Sequence, residues 1–235
     1  PSSALVQPRQ VHGNEVLSIP PDFLSWKDTE QMEYVSRADG LVTDLPRVCL
    51  AVSTADCVPL LFYDSRRRVI GASHAGWRGT VGHIALRTVE VMQGIYGSNP
   101  ENIYVAIGPS IGESAFEVGD EVADAFATAY PVHRRKIILP VGETTVAIIS
   151  IYGWQTVPIC FLREFETSIF LWQEFARIPG MIFSFPLGGP EESYSDDFYP
   201  VYFCIEIQEE RLYTTAPLAY LLFFELFLFA GISIV

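Results

Sequence analysis

Over its first half the chain alternates short apolar runs with compact polar turns, a rhythm that predicts strands more often than helices. Leu5–Val11 reads as a short strand running into the turn His12-Gly13-Asn14, with Glu15–Ile19 as the returning strand. Pro20–Arg37 is polar and opens on prolines, which predicts a loop with little regular structure. Ala38-Asp39-Gly40 reads as a tight turn before a short strand, Leu41–Thr43. Two apolar runs, Val58–Tyr63 and Val69–Ser73, flank the polar turn Asp64–Arg68, the signature of a β-hairpin. From Thr80 to Gly97 the period changes. Ile84, Ala85, Thr88, Val91, Met92 and Ile95 recur at three- and four-residue spacing, which predicts a helix with Thr80 as N-cap and Gly97 at its C-terminus. Ile103–Ile107 follows as a buried strand bounded by Gly108-Pro109. Gly119–Tyr130 reads as a second amphipathic helix, with acidic residues in its first turn where the helix dipole favours them.

The hairpin makes a geometric prediction. If Ser65 faces Arg68, Pro59 stands opposite His74 and Cys57 opposite Gly76. Side chains alternate faces along a strand, so Cys57, Pro59 and His74 share one face. Cys57 and His74 are then diagonal neighbours, roughly 7–8 Å apart at Cα. A zinc ion bonds sulfur at about 2.3 Å and imidazole nitrogen at about 2.0–2.1 Å, so one ion can bridge that gap. A register slip of one residue would separate the pair.

After about Val146 the pattern deteriorates. Apolar runs remain frequent, but periodicity weakens, and no lysine follows Lys136. Ser193–Asp197 is a clear loop signal. Ala216–Val235 has the length of a membrane span, yet Pro217 and Glu225 interrupt it and no basic residue flanks it; a buried strand or helix pair fits better, and membrane association is not expected.

Composition narrows the function classes. With 235 residues, 49% of them hydrophobic, the chain can bury a sizeable core. A formal net charge of −13 argues against a nucleic-acid-binding surface, and Arg66–Arg68 and Arg134–Lys136 read as solvated turns. The four cysteines form no CxxC pair and no disulfide framework. With no signal peptide at the start, a cytoplasmic protein with reduced thiols is expected. Pro1 is not an initiator methionine, which suggests an N-terminally shortened single domain.

His12, Cys57 and His74 each follow or end an expected strand beside small residues: Gly13, Ala55 and Ala75-Gly76. Two imidazoles and one thiolate suit zinc, and three protein ligands leave a fourth position open, as in catalytic sites. Separations of 45 and 17 residues match no local zinc motif, so spacing alone favours a turn histidine and a small buried thiol, and it is the hairpin geometry that raises the case for Cys57 with His74. A second chemistry is a thiol hydrolase, with Cys57 as nucleophile and His74 as base.

Five motifs stand in order: Gln10-Val11-His12-Gly13, Ala38-Asp39-Gly40, Ala55-Asp56-Cys57-Val58-Pro59, His74-Ala75-Gly76-Trp77-Arg78-Gly79-Thr80, and Ala106-Ile107-Gly108-Pro109-Ser110-Ile111-Gly112. Together they resemble the YfiH/YlmD family, once labelled multicopper polyphenol oxidase or laccase-like and associated with purine nucleoside phosphorylase activity, adenosine deaminase activity and peptidoglycan editing. The resemblance implies an α+β fold with mixed β-sheets sandwiched between helical layers. It implies His12, Cys57 and His74 as metal ligands, for zinc or alternatively copper, and a purine nucleoside and phosphate as substrates. Cys57, His74 and Arg78 become the catalytic candidates, and Trp77, Gly108 and Ser110 the substrate-binding ones. Arg78 stands where a helix begins, a place suited to phosphate, or alternatively it pairs with Asp56. Asp39 and Asp56 are expected to orient other groups or to serve turns. His83 and His133 are expected to be ordinary helix or surface residues.

The resemblance runs from Val6 to Val122, and residues 147–235 diverge from it. Ile182-Phe183-Ser184-Phe185 echoes a family segment, but Pro186-Leu187 stand where the family carries arginines. Two readings of that divergence follow: a frameshift or altered splice beyond about residue 146, or a non-catalytic remnant or binding module. The pattern leaves the oligomeric state open.

Overall fold

A computed structural model describes residues 4–108, 110–111, 115–140, 147–149 and 201–206. The expected segments at 182–187, Ser193–Asp197 and Ala216–Val235 lie outside them. Eleven strands form three sheets among the described residues. In chain order the strands are β1 Ala4–Val6, β2 Val16–Ser18, β3 Gly40–Thr43, β4 Val48–Thr54, β5 Val58–Asp64, β6 Val69–Ala75, β7 Ile103–Ile107, β8 Glu117–Val118, β9 Ile138–Pro140, β10 Ala147–Ile149 and β11 Val201–Glu206. The α-helices are α1 Asp28–Tyr34, α2 Trp77–Val81, α3 Ile84–Tyr96, α4 Asp120–Ala129 and α5 Arg134–Ile137.

The hairpin β5–β6 lies at the centre of a five-stranded sheet ordered β2-β3-β6-β5-β7. Every residue of β5 and β6 is buried, which requires cover on both faces. One face carries Val58, Leu60, Phe62 and Val69 and packs on Ile84, Ala85, Val89 and Met92 of α3. The opposite face carries Leu61, Tyr63, Ile70 and Ala72 and packs on Val48, Leu50, Val52 and Ile205 of a three-stranded sheet, β1-β4-β11. A third sheet, β8-β10-β9, lies beside α4 and has a small core of Val118, Phe126 and Ile137. Parallel pairs (β1 with β4, β2 with β3) mix with antiparallel ones, so the architecture is α+β with mixed sheets, as expected.

The hairpin register is the one the sequence predicts: Pro59 pairs with His74 and Val58 with Ala75. The turn closes on Asp64, whose buried carboxylate accepts from the Arg66 and Arg67 N–H groups at 2.8 and 3.1 Å. Ile103–Ile107 and the helix beginning at Gly119 also form where expected.

Four expectations change. β1 ends at Val6 rather than Val11, and β2 does not return beside it; each pairs with a different sheet. The segment 20–37 is not an irregular loop. It holds α1 and two short 3-10 turns, Phe23–Ser25 and Val35–Arg37. Its helix buries none of its own residues, so it leaves no apolar stripe to read; Glu30 caps it by accepting the Lys27 N–H at 3.0 Å. Ala38-Asp39-Gly40 is not a tight turn but the approach to β3, with Ala38 extended and Gly40 already paired. The helix Thr80–Gly97 is two helices, broken at Gly82-His83, where His83 adopts a left-handed φ of 59°. The Asn14 side chain fills the space beside Gly82 and donates to its carbonyl at 2.8 Å, so the break accommodates a residue from the N-terminal segment. Gly97 ends α3 as expected, at φ 66°.

Candidate metal centre

His12, Cys57 and His74 converge. Each offers one ligand atom, and these atoms lie within 4.8 Å of one another. The two imidazoles meet edge to face with centroids 4.8 Å apart. His74 is 2% exposed, Cys57 is half-buried and its thiol is free, and His12 is exposed, so the cluster forms a pocket with a buried floor and an open rim.

Two of the three donors come from the hairpin. His74 is the sixth residue of β6, and Cys57 immediately precedes β5 on the same face. Gly76 completes the floor. A Cβ there would lie 3.2 Å from His12 Cδ2, 3.3 Å from Cys57 Sγ and 3.6 Å from His74 Cε1. Only a residue without a side chain leaves open the space onto which all three donors face.

His12 arrives differently. Its segment belongs to no strand and is pinned by side chains. The Gln10 amide mimics a strand partner for Ser53 in β4: its Nε2 donates to the Ser53 carbonyl at 2.7 Å and its Oε1 accepts the Ser53 N–H at 2.8 Å. Asn14 holds the other end through Gly82. Between them His12 sits at φ 60°, a left-handed conformation rare for a residue with a side chain. Gly13 passes so close to α2 that a Cβ on Gly79 would stand 2.6 Å from the Gly13 carbonyl.

Asp39 lies beneath this turn, fully buried. Its Oδ1 accepts the His12 N–H at 2.9 Å and meets His74 Nδ1 at 2.8 Å. Its Oδ2 accepts the Gly13 N–H at 2.8 Å and the Val11 N–H at 3.2 Å. Burial alone would push this carboxyl up, but the hydrogen bonds from His74, Gly13 and Val11 outweigh it and hold the group below its ordinary value. Burial likewise pulls the His74 imidazole down, yet its hydrogen bonds to Asp39 and Cys57, with the charges on both, raise it to about 9. The surroundings of His74 thus favour its protonated form when no metal is bound.

The remaining candidates lie around this pocket in different ways. Trp77 is half-buried and packs with Val81, Phe116 and Tyr130 on the small core under α4. The exposed Arg78 guanidinium lies over the Trp77 ring, 4.2 Å from its centroid, and among the described residues no ion pair joins it to Asp56. The Gly108 N–H donates to Pro59 and the Ile111 N–H to Asp56, so the loop carrying Ser110 brackets the Cys57 bend. His83 meets the Tyr130 ring edge to face and His133 precedes α5; neither joins the donor cluster. Gln10 and Asn14 have structural roles beyond those expected from the sequence. Asparagine beside a His-Gly turn was the available signal for Asn14, while Gln10 acts on a strand 43 residues away and left none.

The family model for multi-copper polyphenol oxidoreductase laccase matches residues 1–150. The chain belongs to that family. Within this laccase-like family, a purine nucleoside phosphorylase from Bacteroides thetaiotaomicron is 44% identical over 122 residues, 52% of this chain and 45% of that protein. The adenosine deaminase RL5 from an unknown prokaryotic organism is 45% identical over 126 residues, 54% of this chain and 48% of that protein. The chain spans about half the length of these curated relatives. A crystal structure of the YfiH protein from Bacillus licheniformis matches with a TM-score of 0.57 at 31% identity, covering 64% of this chain and 57% of that one. The family label speaks of several coppers. Among the described residues this laccase-family chain brings together one donor group, His12, Cys57 and His74, a set that suits a single ion.

Proposed function

We propose that this chain holds a zinc ion through His12, Cys57 and His74 and acts on purine nucleosides, by phosphorolysis or by deamination of adenosine. The observation that carries the reading is the convergence of two imidazoles and a thiol within 4.8 Å around the gap left by Gly76. The names of the relatives supply the substrate class. Held by these three residues, zinc would supply a Lewis acid able to polarise a water or a substrate oxygen.

The chain's own residues divide the remaining work. Asp39 holds His74 by Nδ1, which leaves Nε2 turned to the pocket. Arg78, exposed at the start of α2, is the cation placed to receive phosphate, and its stack on Trp77 limits where the guanidinium can swing. Gly108 and Ile111, whose N–H groups tie them to Pro59 and Asp56 on either side of Cys57, border the place where a flat base would lie, with Ser110 offering a hydroxyl. Copper is the alternative ion, since thiolate and imidazole accept both; three protein ligands with one position left open are the usual arrangement of catalytic zinc.

One specific arrangement favours a second reading. Cys57 lies with its sulfur within 4.8 Å of a ring nitrogen of His74, whose Nδ1 is hydrogen-bonded to Asp39, a series in the order of a nucleophile, a base and its orienting group. A thiol hydrolase has no use for the His12 imidazole beside that series, and this favours the metal reading.

Metal analysis and product analysis test the two together. The purified chain is expected to carry one zinc that is lost in Cys57→Ser, and to convert inosine to hypoxanthine with phosphate present or adenosine to inosine without it. Metal-free protein that is alkylated at Cys57 and leaves both nucleosides untouched would overturn the reading in favour of the thiol hydrolase.

A further inference from the structure

Asp39 makes more contacts to the donor set than orienting one imidazole requires. Its four accepting positions are all used: two on Oδ1 by the His12 N–H and His74 Nδ1, and two on Oδ2 by the Val11 and Gly13 N–H groups. The first and third donors of the pocket therefore hang from one carboxylate, one by its ring and the other by its backbone. The backbone of Asp39 is tied as well. Its carbonyl accepts the His74 N–H at 2.7 Å, and its N–H donates to the Glu15 carbonyl at 3.0 Å, just beyond the His12 turn. A left-handed histidine is costly on its own and persists where surrounding bonds over-determine it. Here three successive N–H groups aimed at one buried anion supply that determination.

We infer that Asp39 is a positioning residue for the metal, shared by both imidazoles: it makes Nε2 the ligating atom of His74 and fixes the His12 turn at the same time. This inference rests on the metal reading given above. Its chemical content is specific. An amide at this position keeps the size of the side chain but replaces the accepting sites of one oxygen with an N–H₂ donor, so it can serve either the His74 ring and the His12 N–H or the Val11 and Gly13 N–H groups, but not all four. The deficit falls on metal binding because a ligand whose supporting hydrogen bond is lost typically weakens metal affinity about 10–100-fold.

The test uses cobalt(II) as a spectroscopic stand-in, titrated into chelator-treated full chain, for wild type, Asp39→Asn and Cys57→Ser. Wild type is expected to give thiolate-to-cobalt charge-transfer and d–d bands, Cys57→Ser to lose the charge-transfer band, and Asp39→Asn to bind about 10-fold or more weakly with shifted d–d bands. Circular dichroism of the metal-free variants separates this effect from misfolding. If Asp39→Asn does not fold, imidazole ¹⁵N shifts of zinc-loaded wild type decide the matter: His74 is expected to carry its proton on Nδ1 and to bind zinc through Nε2. Ligation through His74 Nδ1, or a folded Asp39→Asn with wild-type affinity and spectrum, overturns the role of Asp39 and leaves the metal site standing. A wild-type chain that takes up no cobalt overturns the metal reading, and this inference with it.

Discussion

Asp39 and His74 are joined at two levels: the His74 N–H donates to the Asp39 carbonyl at 2.7 Å, and the two side chains meet at 2.8 Å. The backbone bond continues the β3–β6 ladder by one step, since Gly40 pairs with Ser73. Strand pairing thus delivers the carboxylate to the imidazole, and the pocket inherits its precision from the sheet.

That pairing makes metal-free stability depend on pH. His74 titrates near 9 when folded against 6.5 ordinarily, so its contribution is full below about pH 6.5 and is lost as pH rises through 9. The shift corresponds to something on the order of 3 kcal/mol. Asp39 is held below its ordinary value, so its share is present above that value and lost in acid. The two describe one ion pair and are counted once. Urea unfolding of the chelator-treated chain is expected to show greatest stability near pH 6, with the midpoint falling as pH rises from about 6.5 to about 9 and levelling off beyond. Metal must displace the His74 proton, so metal affinity is expected to rise with pH over the same range.

Gly76→Ala tests the floor of the pocket. Gly76 has ordinary extended angles, φ −69° and ψ 172°, so alanine fits the backbone. Its methyl would crowd Cys57 Sγ and His12 Cδ2 at 3.2–3.3 Å. The unfolded-state gain of about 0.4–1 kcal/mol from replacing glycine offsets much of that crowding, so the melting temperature is expected to stay near wild type. Metal titration is expected to show affinity reduced by about tenfold or more, the loss usual when ligands are displaced.

Gln10→Ala removes both bonds to the Ser53 backbone and leaves the tip of β4 to water. A loss of about 1–2 kcal/mol in denaturant unfolding is expected. Cobalt is expected to bind more weakly while the thiolate charge-transfer band persists, because Cys57 and His74 remain on the hairpin.

Arg78→Lys and Arg78→Ala test the proposed phosphate contact. Arg78 is exposed and touches none of the three donors, so zinc content is expected to be unchanged in both. KM for phosphate is expected to rise in both variants, more in Arg78→Ala, because lysine keeps the charge but loses the planar stack on Trp77. Adenosine deamination, which takes no phosphate, is expected to be unaffected.

The parts of the site that could be read from the sequence are those set by local rules. A polar turn between two apolar runs gave the register of β5 and β6, and the register brought Cys57 to His74. His12 could be placed only through the family resemblance, because its approach depends on side-chain bonds to Ser53, Asp39 and Gly82 that no periodicity encodes. The same physics explains the strand misread as far as Val11: residues after Val6 pair through side chains instead of a ladder. The helix break leaves no mark in the local pattern, because the apolar stripe of α3 is in phase with α2 and the residue the break accommodates, Asn14, lies 68 residues upstream.

The unequal mounting of the three donors has a consequence for damage. A proteolytic cut or a peeling event anywhere between Arg9 and Asn14 would detach a single imidazole and spare the thiol–imidazole couple, which is woven into the central hairpin. Loss of the proposed metal would then come in stages rather than all at once, leaving a thiol and an imidazole still facing each other on the hairpin.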